Sequence, residues 1–354
     1  MKMKSELKAI DFFCGGGGMT CGLRQAGINV LAGVDLDASC QDTYEYNNRG
    51  SQFILANIKT LALDFFEQKF NVKKNDDNLI FVGCSPCQYY SIINTSKKKS
   101  LASKDLLMDF RRFVQYYNPG YVLVENVPGI VTNKNSVLPD FLNFLHNNHY
   151  KYGEYKVIDM SYYGVPQTRK RFSLIFSRHD SLCSLPKPDK KRALLSDCIG
   201  VKNGFLPIPA GFYDSSDFNH TVPKLSPICL KRLEKTPHDG GTRHAWKNDK
   251  ELQLKCFIGK DTSFRDTFGR MWWNRPAPTI TTKFYSISNG RFAHPNENRA
   301  ISIREGASLQ TFPKDYVFKT KNIITAARLI GNAVPPEYAR RLGDLIVKNQ
   351  GEKQ

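Results

Sequence analysis

The chain has 354 residues, an ordinary 41% hydrophobic content and 51 basic against 33 acidic side chains, a formal net charge of +18. No apolar run approaches the roughly 20 residues that span a bilayer, and the Met1-Lys-Met-Lys-Ser-Glu start has no apolar signal core, which points to a soluble cytoplasmic protein. Nine irregularly spaced cysteines resemble no disulfide framework, so reduced thiols are expected, while a basic surplus of this size suits a polyanion, nucleic acid above all.

Short apolar runs alternate with helical patterns through the first half, which predicts a largely parallel α/β sheet. Strands are expected over Leu7 to Phe13 and Val30 to Val34, with helices over Met19 to Ala26 and Ser39 to Asn48. A strand before Cys87, a helix from about Lys104 to Tyr117 and a strand over Tyr121 to Glu125 follow. Tyr155 to Asp159 and Phe172 to Phe176 read as a closing pair. At Leu185-Pro-Lys-Pro-Asp-Lys-Lys-Arg192 the pattern breaks into a loop-rich stretch that reads as a second, smaller domain. Helical periodicity returns over Thr325 to Ile330 and Pro336 to Val347. The division expected is a catalytic and cofactor-binding domain over 1–182, a small domain over 183–322 and a helical return to the first domain over 323–354.

Asp11-Phe-Phe-Cys-Gly-Gly-Gly-Gly18 is a strand end running into a glycine turn and a helix. Glycines let a ligand approach the backbone, and a helix start favours an anionic group. Asp35 ends the next strand, where a carboxylate can accept ribose hydroxyls. These features indicate an adenosine-bearing cofactor, either a dinucleotide or S-adenosylmethionine, and a tight turn without ligand also fits them.

Leu79-Ile-Phe-Val is a buried-strand run stopped by Gly83-Cys-Ser-Pro86, which holds Cys87 at a strand's carboxyl end, where open α/β sheets bind ligands. Cys84 and Cys87 form a C-x-x-C. No second such pair or His/Cys cluster completes a zinc site, so no metal is expected. Tyr121-Val-Leu-Val-Glu-Asn-Val repeats the strand-then-polar-tip arrangement and brings Glu125 and Asn126 beside Cys87 if the two strands are neighbours. A thiolate beside a carboxyl group suits addition to a nitrogen heterocycle, the acid stabilising charge on a ring nitrogen. Arg169 and Arg171, at alternate positions of an extended segment, read as a fork for a carboxylate, carbonyl or phosphate.

The ordered set Asp11-Phe-Phe-Cys-Gly-Gly-Gly-Gly18, Pro86-Cys-Gln88, Glu125-Asn-Val127, Gln167-x-Arg-x-Arg171, Arg304-Glu with Gln310-x-Phe-Pro313, and Gly331-Asn-Ala-Val-Pro-Pro336 resembles the motifs of the DNA (cytosine-5)-methyltransferases. The resemblance covers nearly all of the chain outside about 180 to 270, the family's variable target-recognition region. It implies a Rossmann-like S-adenosylmethionine-dependent fold, with S-adenosylhomocysteine as the product and no metal. By position, Cys87 matches the nucleophile, Glu125 the acid at cytosine N3, and Arg171, with Arg169, the arginines that grip the base. Asn126 matches a residue that holds the loop.

Asp11, Phe13, Gly15 and Gly17 match contacts to the methionine moiety, Asp35 the ribose, and Leu36, Asn57 and Ile58 the adenine. Pro86, Leu106, Asn332 and Ala333 match further cofactor-pocket positions. Asn57 stands where the family usually has Asp. The expected partners are duplex DNA and a cognate restriction endonuclease, with no membrane and a monomeric state.

A cytosine inside a stacked duplex must be flipped out before chemistry. The segment Tyr89 to Ser103 matches the loop that closes over it, so Gln88, Ser91, Lys97 and Lys98 are candidate DNA contacts. In the second domain Arg243, Arg265 and Arg270 are of the type that reads base edges and backbone. An RNA cytosine methyltransferase on the same scaffold is the alternative. A Rossmann oxidoreductase explains the glycine turn but neither Cys87 nor Glu125.

Overall fold

The computed structural model describes residues 6–86, 89–90, 105–260, 262–320 and 322–352. The chain divides into two compact units, one of residues 1–159, 170–188 and 334–354, the other of 160–169 and 189–333.

The first unit is built on a seven-stranded mixed sheet: β1 (Lys8–Phe12), β2 (Asn29–Asp35), β3 (Gln52–Leu55), β4 (Leu79–Gly83), β5 (Tyr121–Asn126), β6 (Tyr152–Asp159) and β7 (Lys170–Ser177), in the order β3-β2-β1-β4-β5-β7-β6. The first five strands pair in parallel, and β7 runs antiparallel to both β5 and β6. This is the parallel sheet with a closing pair that the alternating runs predict. β4 and β5 are buried along their whole length, as strands covered on both faces must be, so they read as continuous apolar runs. Chain order reverses between β1 and β4, and such a switch point opens a crevice at the carboxyl ends of the strands.

Helix packing fixes that crevice's rear. The helix Gly18–Gln25 lies against the C-terminal helix Pro336–Glu352, and a β-carbon on Gly22 would stand 2.2 Å from Pro336 O, so glycine is required for that approach. On the other side, the helix Leu106–Tyr117 buries Leu107, Phe110, Phe113, Val114 and Tyr117 in the core. Phe12 at the end of β1 meets Phe66, Phe81, Phe110 and Phe113 with ring centroids 5.1 to 5.5 Å apart. Three of these pairs are edge-on and the one with Phe113 is tilted, and such ring packing adds to the area term and fixes the tip of β1.

In the second unit little is strand. A core of Leu233, Trp246, Leu252, Phe257, Phe268, Ile287, Ala293 and Ala300 is held by buried arginines that donate to backbone carbonyls, and irregular backbone can be buried only where its polar groups are satisfied. Among the described residues no helix is long and apolar enough to cross a membrane.

Candidate active site

The glycine turn is a strained start to a binding surface. Phe13 sits at φ 62° and Gly15 and Gly17 at φ 52° and 86°, and a left-handed conformation at a bulky residue is uncommon enough to mark a functional constraint. A β-carbon on Gly15 would meet nothing within 4 Å, so backbone there borders open space. Gly15 N donates to Asp35 Oδ2 at 2.8 Å, and Asp37 N to Oδ1 at 2.9 Å. Each oxygen keeps a lone pair for an incoming hydroxyl. Burial, opposed by those two backbone bonds, holds the Asp35 carboxyl above its usual range.

Behind the turn Asp11 is fully buried. Its Oδ2 accepts from Thr20 Oγ1 at 2.7 Å, and the relay continues to Tyr44 Oη at 3.1 Å and Ser51 Oγ at 2.7 Å. Oδ1 has no hydrogen-bond partner among the described residues. Burial, reinforced by the charge of Asp35 and opposed by the Thr20 bond, lifts the Asp11 carboxyl to about 7. A carboxylate in this position suits a cationic ligand group. Leu36, 68% exposed, projects at the tip of β2, while Ile58 is buried. Asn57 Oδ1 accepts from Lys59 N at 3.1 Å, so the amide oxygen that replaces the usual carboxylate already closes a local turn and has one lone pair left.

At the neighbouring strand tips the geometry is that of an oriented acid. Parallel pairing sets Val82 of β4 beside Leu123 of β5. The next residues of the two strands therefore share one edge of the sheet. Glu125, 9% exposed, faces Arg171 Nε at 3.1 Å from Oε1. The two come together because β5 and β7 are antiparallel, with Glu125 opposite Ser173 and Asn126 opposite Phe172. Asn126 Nδ2 donates to Ser85 Oγ at 3.1 Å and Ser85 O at 3.3 Å, and its Oδ1 accepts from Val127 N at 2.8 Å. Asn126 thus ties the Cys84-Ser-Pro86 turn to β5. Sequence patterns gave no sign of Ser85's part in this.

Cys87, Gln88, Ser91, Lys97 and Lys98 lie outside the described residues. Cys84, the other half of the C-x-x-C, has its thiol pushed well up by burial, with the charges of Glu125 and Asp11 adding to it. Cys84 is thereby kept a neutral thiol. Among the described residues no group of three His, Cys, Asp or Glu side chains could hold a metal ion.

Three expectations change in detail. Arg169 is not the second tine of a fork shared with Arg171. Arg169 is 2% exposed, and its guanidinium donates to Ile280 O, Gly331 O and Ala333 O at 3.0 to 3.2 Å. Gln167 donates to Gln310 Oε1 and Leu309 O, and Gln310 in turn to Ile330 O and Ala333 O. The Gln167-x-Arg, Gln310 and Gly331-Asn-Ala motifs are therefore one buried scaffold, which fixes the turn carrying Asn332 and Ala333.

Arg270 is fully buried and donates to the carbonyls of Leu233, Thr236, His294 and Glu297 and to Asn298 Oδ1. Arg243, also fully buried, donates to Lys260 O, Ser263 O and Phe264 O. Neither guanidinium is presented to a duplex, because each is buried in a strand-poor core and turned onto its backbone carbonyls. Arg265 is exposed. Arg304 is buried against Asp217 O and Tyr316 O at 3.1 and 2.9 Å. Glu305 pairs with Arg299 at 2.6 Å, and Arg299, overriding the cost of burial, draws its carboxyl down to about 2.

The first unit thus combines an α/β sheet, a glycine turn at its switch point and an arginine-held glutamate beside the Cys84-Ser-Pro86 turn. The profile of the C-5 cytosine-specific DNA methylase family matches residues 7–348. The chain belongs to that family and is a methyltransferase. It is 36% identical over 346 residues to the type II methylase M.HgiDII of Herpetosiphon aurantiacus, covering 95% of this chain and 94% of that protein. To the type II methyltransferase M1.BsuMI of Bacillus subtilis it is 30% identical over 347 residues, covering 94% and 79%. Two solved structures share the fold. One is a chain encoded within an Escherichia coli prophage, with TM-score 0.70 and 21% identity over 97% of this chain and 99% of that one. The other is the Schizosaccharomyces pombe Dnmt2 methyltransferase, with TM-score 0.63 and 16% identity over 97% and 99%.

Proposed function

We propose that this enzyme methylates C5 of a flipped-out cytosine in a short duplex DNA sequence, with S-adenosyl-L-methionine as donor and a covalent bond between Cys87 and C6 as the intermediate. Cytosine C5 is a poor nucleophile while the ring is aromatic. Attack of the Cys87 thiolate on C6 breaks the C5–C6 double bond and moves its electrons toward C5 and N3. Glu125 holds the proton that neutralises N3, and Arg171 fixes the orientation in which it does so. The bound donor would supply an electrophilic methyl group on a sulfonium. Asp11 and the Phe13 to Gly17 turn would hold its amino-acid end, Asp35 its ribose, and Leu36, Asn57 and Ile58 its adenine, with Pro86 and Leu106 lining the remainder. Loss of the C5 proton after methylation restores the double bond and expels Cys87.

The observation that carries the reading is the 3.1 Å pairing of Arg171 with Glu125 at the tip of β5, beside the Ser85-Pro86 turn that precedes Cys87. An oxidoreductase has no use for it. Gln88, Ser91, Lys97, Lys98 and Arg265 are the side chains proposed to meet DNA, and the recognition region is placed within 183–322. The names of the type II relatives favour DNA over RNA, and a cognate endonuclease is the companion proposed here for a monomeric cytoplasmic enzyme.

Bisulfite sequencing of DNA from expressing cells is expected to show methylation at one sequence. A duplex carrying 5-fluorocytosine there should trap the wild type covalently, since fluorine at C5 cannot leave as a cation, and should fail to trap Cys87→Ser. Label found on exocyclic nitrogen, or on tRNA alone, overturns the reading.

A further inference from the structure

In the second unit a surface loop is held more firmly than its exposure warrants. Ile258 and Phe264 are 65% and 64% exposed, yet Phe264 takes φ 53°, a left-handed conformation costly for an aromatic residue. Such strain persists only where the surroundings over-determine it. Two buried arginines do so here. Arg243 reaches up from the core to Lys260 O at 2.7 Å, Ser263 O at 2.8 Å and Phe264 O at 3.4 Å, its guanidinium lying 4.3 Å from the centre of the Phe257 ring. Arg291, 5% exposed, pairs with Asp266 at 2.8 Å and also donates to Gly240 O and Arg270 O.

The loop is thus pinned on both sides of Phe264 while its apolar side chain faces solvent. Beside it runs a groove of about 530 Å³ lined by Lys247, Lys250, Lys255 and Ile258. Asp249, which also lines the groove, is paired with Lys235 at 2.6 Å, so the net character of the wall is basic.

We infer that this loop is the sequence-reading tip of the enzyme: Phe264 and Ile258 make apolar contact with base edges, the lysine groove takes the adjacent phosphates, and Arg243 is the positioning residue. The inference rests on the DNA reading above. An exposed aromatic held rigid loses little entropy on docking, and contact with a thymine methyl is a recognised mode of apolar base readout. Lysines in a groove position the backbone without reading sequence. The two halves of the surface therefore predict two separable effects.

The test uses the full chain with Phe264→Ala, with Lys247→Ala, Lys250→Ala and Lys255→Ala combined, and with Arg243→Lys. Methylation is mapped by bisulfite sequencing, and duplex binding is measured across a salt series. Phe264→Ala removes an exposed ring and should melt with the wild type. It is expected to lower the ratio of methylation at wild-type sites to that at singly altered sites by tenfold or more. The lysine variant should weaken all duplexes alike and flatten the salt slope by up to roughly 0.9 for each phosphate it no longer neutralises. Arg243→Lys should relax the site profile as Phe264→Ala does, a change that lowered stability alone does not produce.

An unaltered profile in Phe264→Ala, in a wild type that does methylate DNA, overturns this inference and leaves the parent reading standing. A wild type that leaves DNA unmodified removes both.

Discussion

The amide of Gly15 donates to Asp35 Oδ2 across 2.8 Å although twenty residues separate them. One bond thereby closes the glycine turn against the tip of β2, and the same carboxylate is the group proposed to take the ribose. Asp35→Ala should remove both. Cofactor affinity in the absence of DNA is expected to fall at least tenfold, about 1.4 kcal/mol, with the melting transition still cooperative. Titration calorimetry reads the affinity directly, and an unchanged dissociation constant would take Asp35 out of the cofactor site.

Arg171 and Glu125 should behave as a unit. Glu125→Gln keeps the shape but cannot deliver a proton, and a positioned acid contributes typically 10²- to 10⁴-fold. Arg171→Lys replaces the planar guanidinium that faces Glu125 with a point charge and should cost less than the glutamine change. The double variant should be little worse than Glu125→Gln alone, because both act on one proton. Single-turnover rates test this, and fully additive losses would show that Arg171 acts elsewhere.

Asp11 gives a pH dependence with a definite sign. Its carboxyl titrates at about 7 in the folded protein against 3.8 ordinarily, mainly because it is buried. The folded state therefore keeps a proton that the unfolded chain sheds. Stability associated with Asp11 is whole below pH 4 and is lost as pH climbs through about 7, by an amount on the order of 4 kcal/mol. Asp11→Asn, which needs no proton, should exceed the wild type in denaturant resistance at pH 8 and match it near pH 4. Equal gaps at the two pH values would contradict the displaced titration. A cationic donor bound at Asp11 would favour the charged form, so its affinity for the wild type should rise with pH across the same range.

What the sequence made legible follows the physics of its signals. β1, β2, β4 and β5 are short apolar runs ended by glycine or a polar tip, and each lies within a residue or two of its expected place. β3 escaped notice because only Phe53 and Ile54 of its four residues are buried. The helix Leu138–Asn147 escaped because Pro139 sits inside its first turn, where proline is tolerated although it resembles a break. Motif order singled out Gly15, which lies in the turn, Asp35 at a strand end and Glu125, which pairs with Arg171. Residue type could not separate an arginine that meets DNA from one that meets carbonyls. Arg243 and Arg270 are buried, whereas Arg265, in the same stretch, is exposed. That distinction depends on which loops lack strand partners, and such pairing leaves no local trace.

Arg169 supplies the contrast to Glu125. It donates to Ile280 O, Gly331 O and Ala333 O from a buried site, an arrangement that holds a turn. Arg169→Lys keeps the charge, but a single ammonium cannot span three carbonyls on two segments. Each carbonyl left without a donor costs roughly 1–3 kcal/mol. The variant should melt at lower temperature and exchange the amides of Gly331 to Ala333 faster, and any loss of turnover should track that loosening. Gln310→Ala, which removes the other donor to Ala333 O and the donor to Ile330 O, should produce the same pattern of exchange. A fall in single-turnover rate with exchange and melting unchanged would return Arg169 to the base-gripping role that its motif suggests.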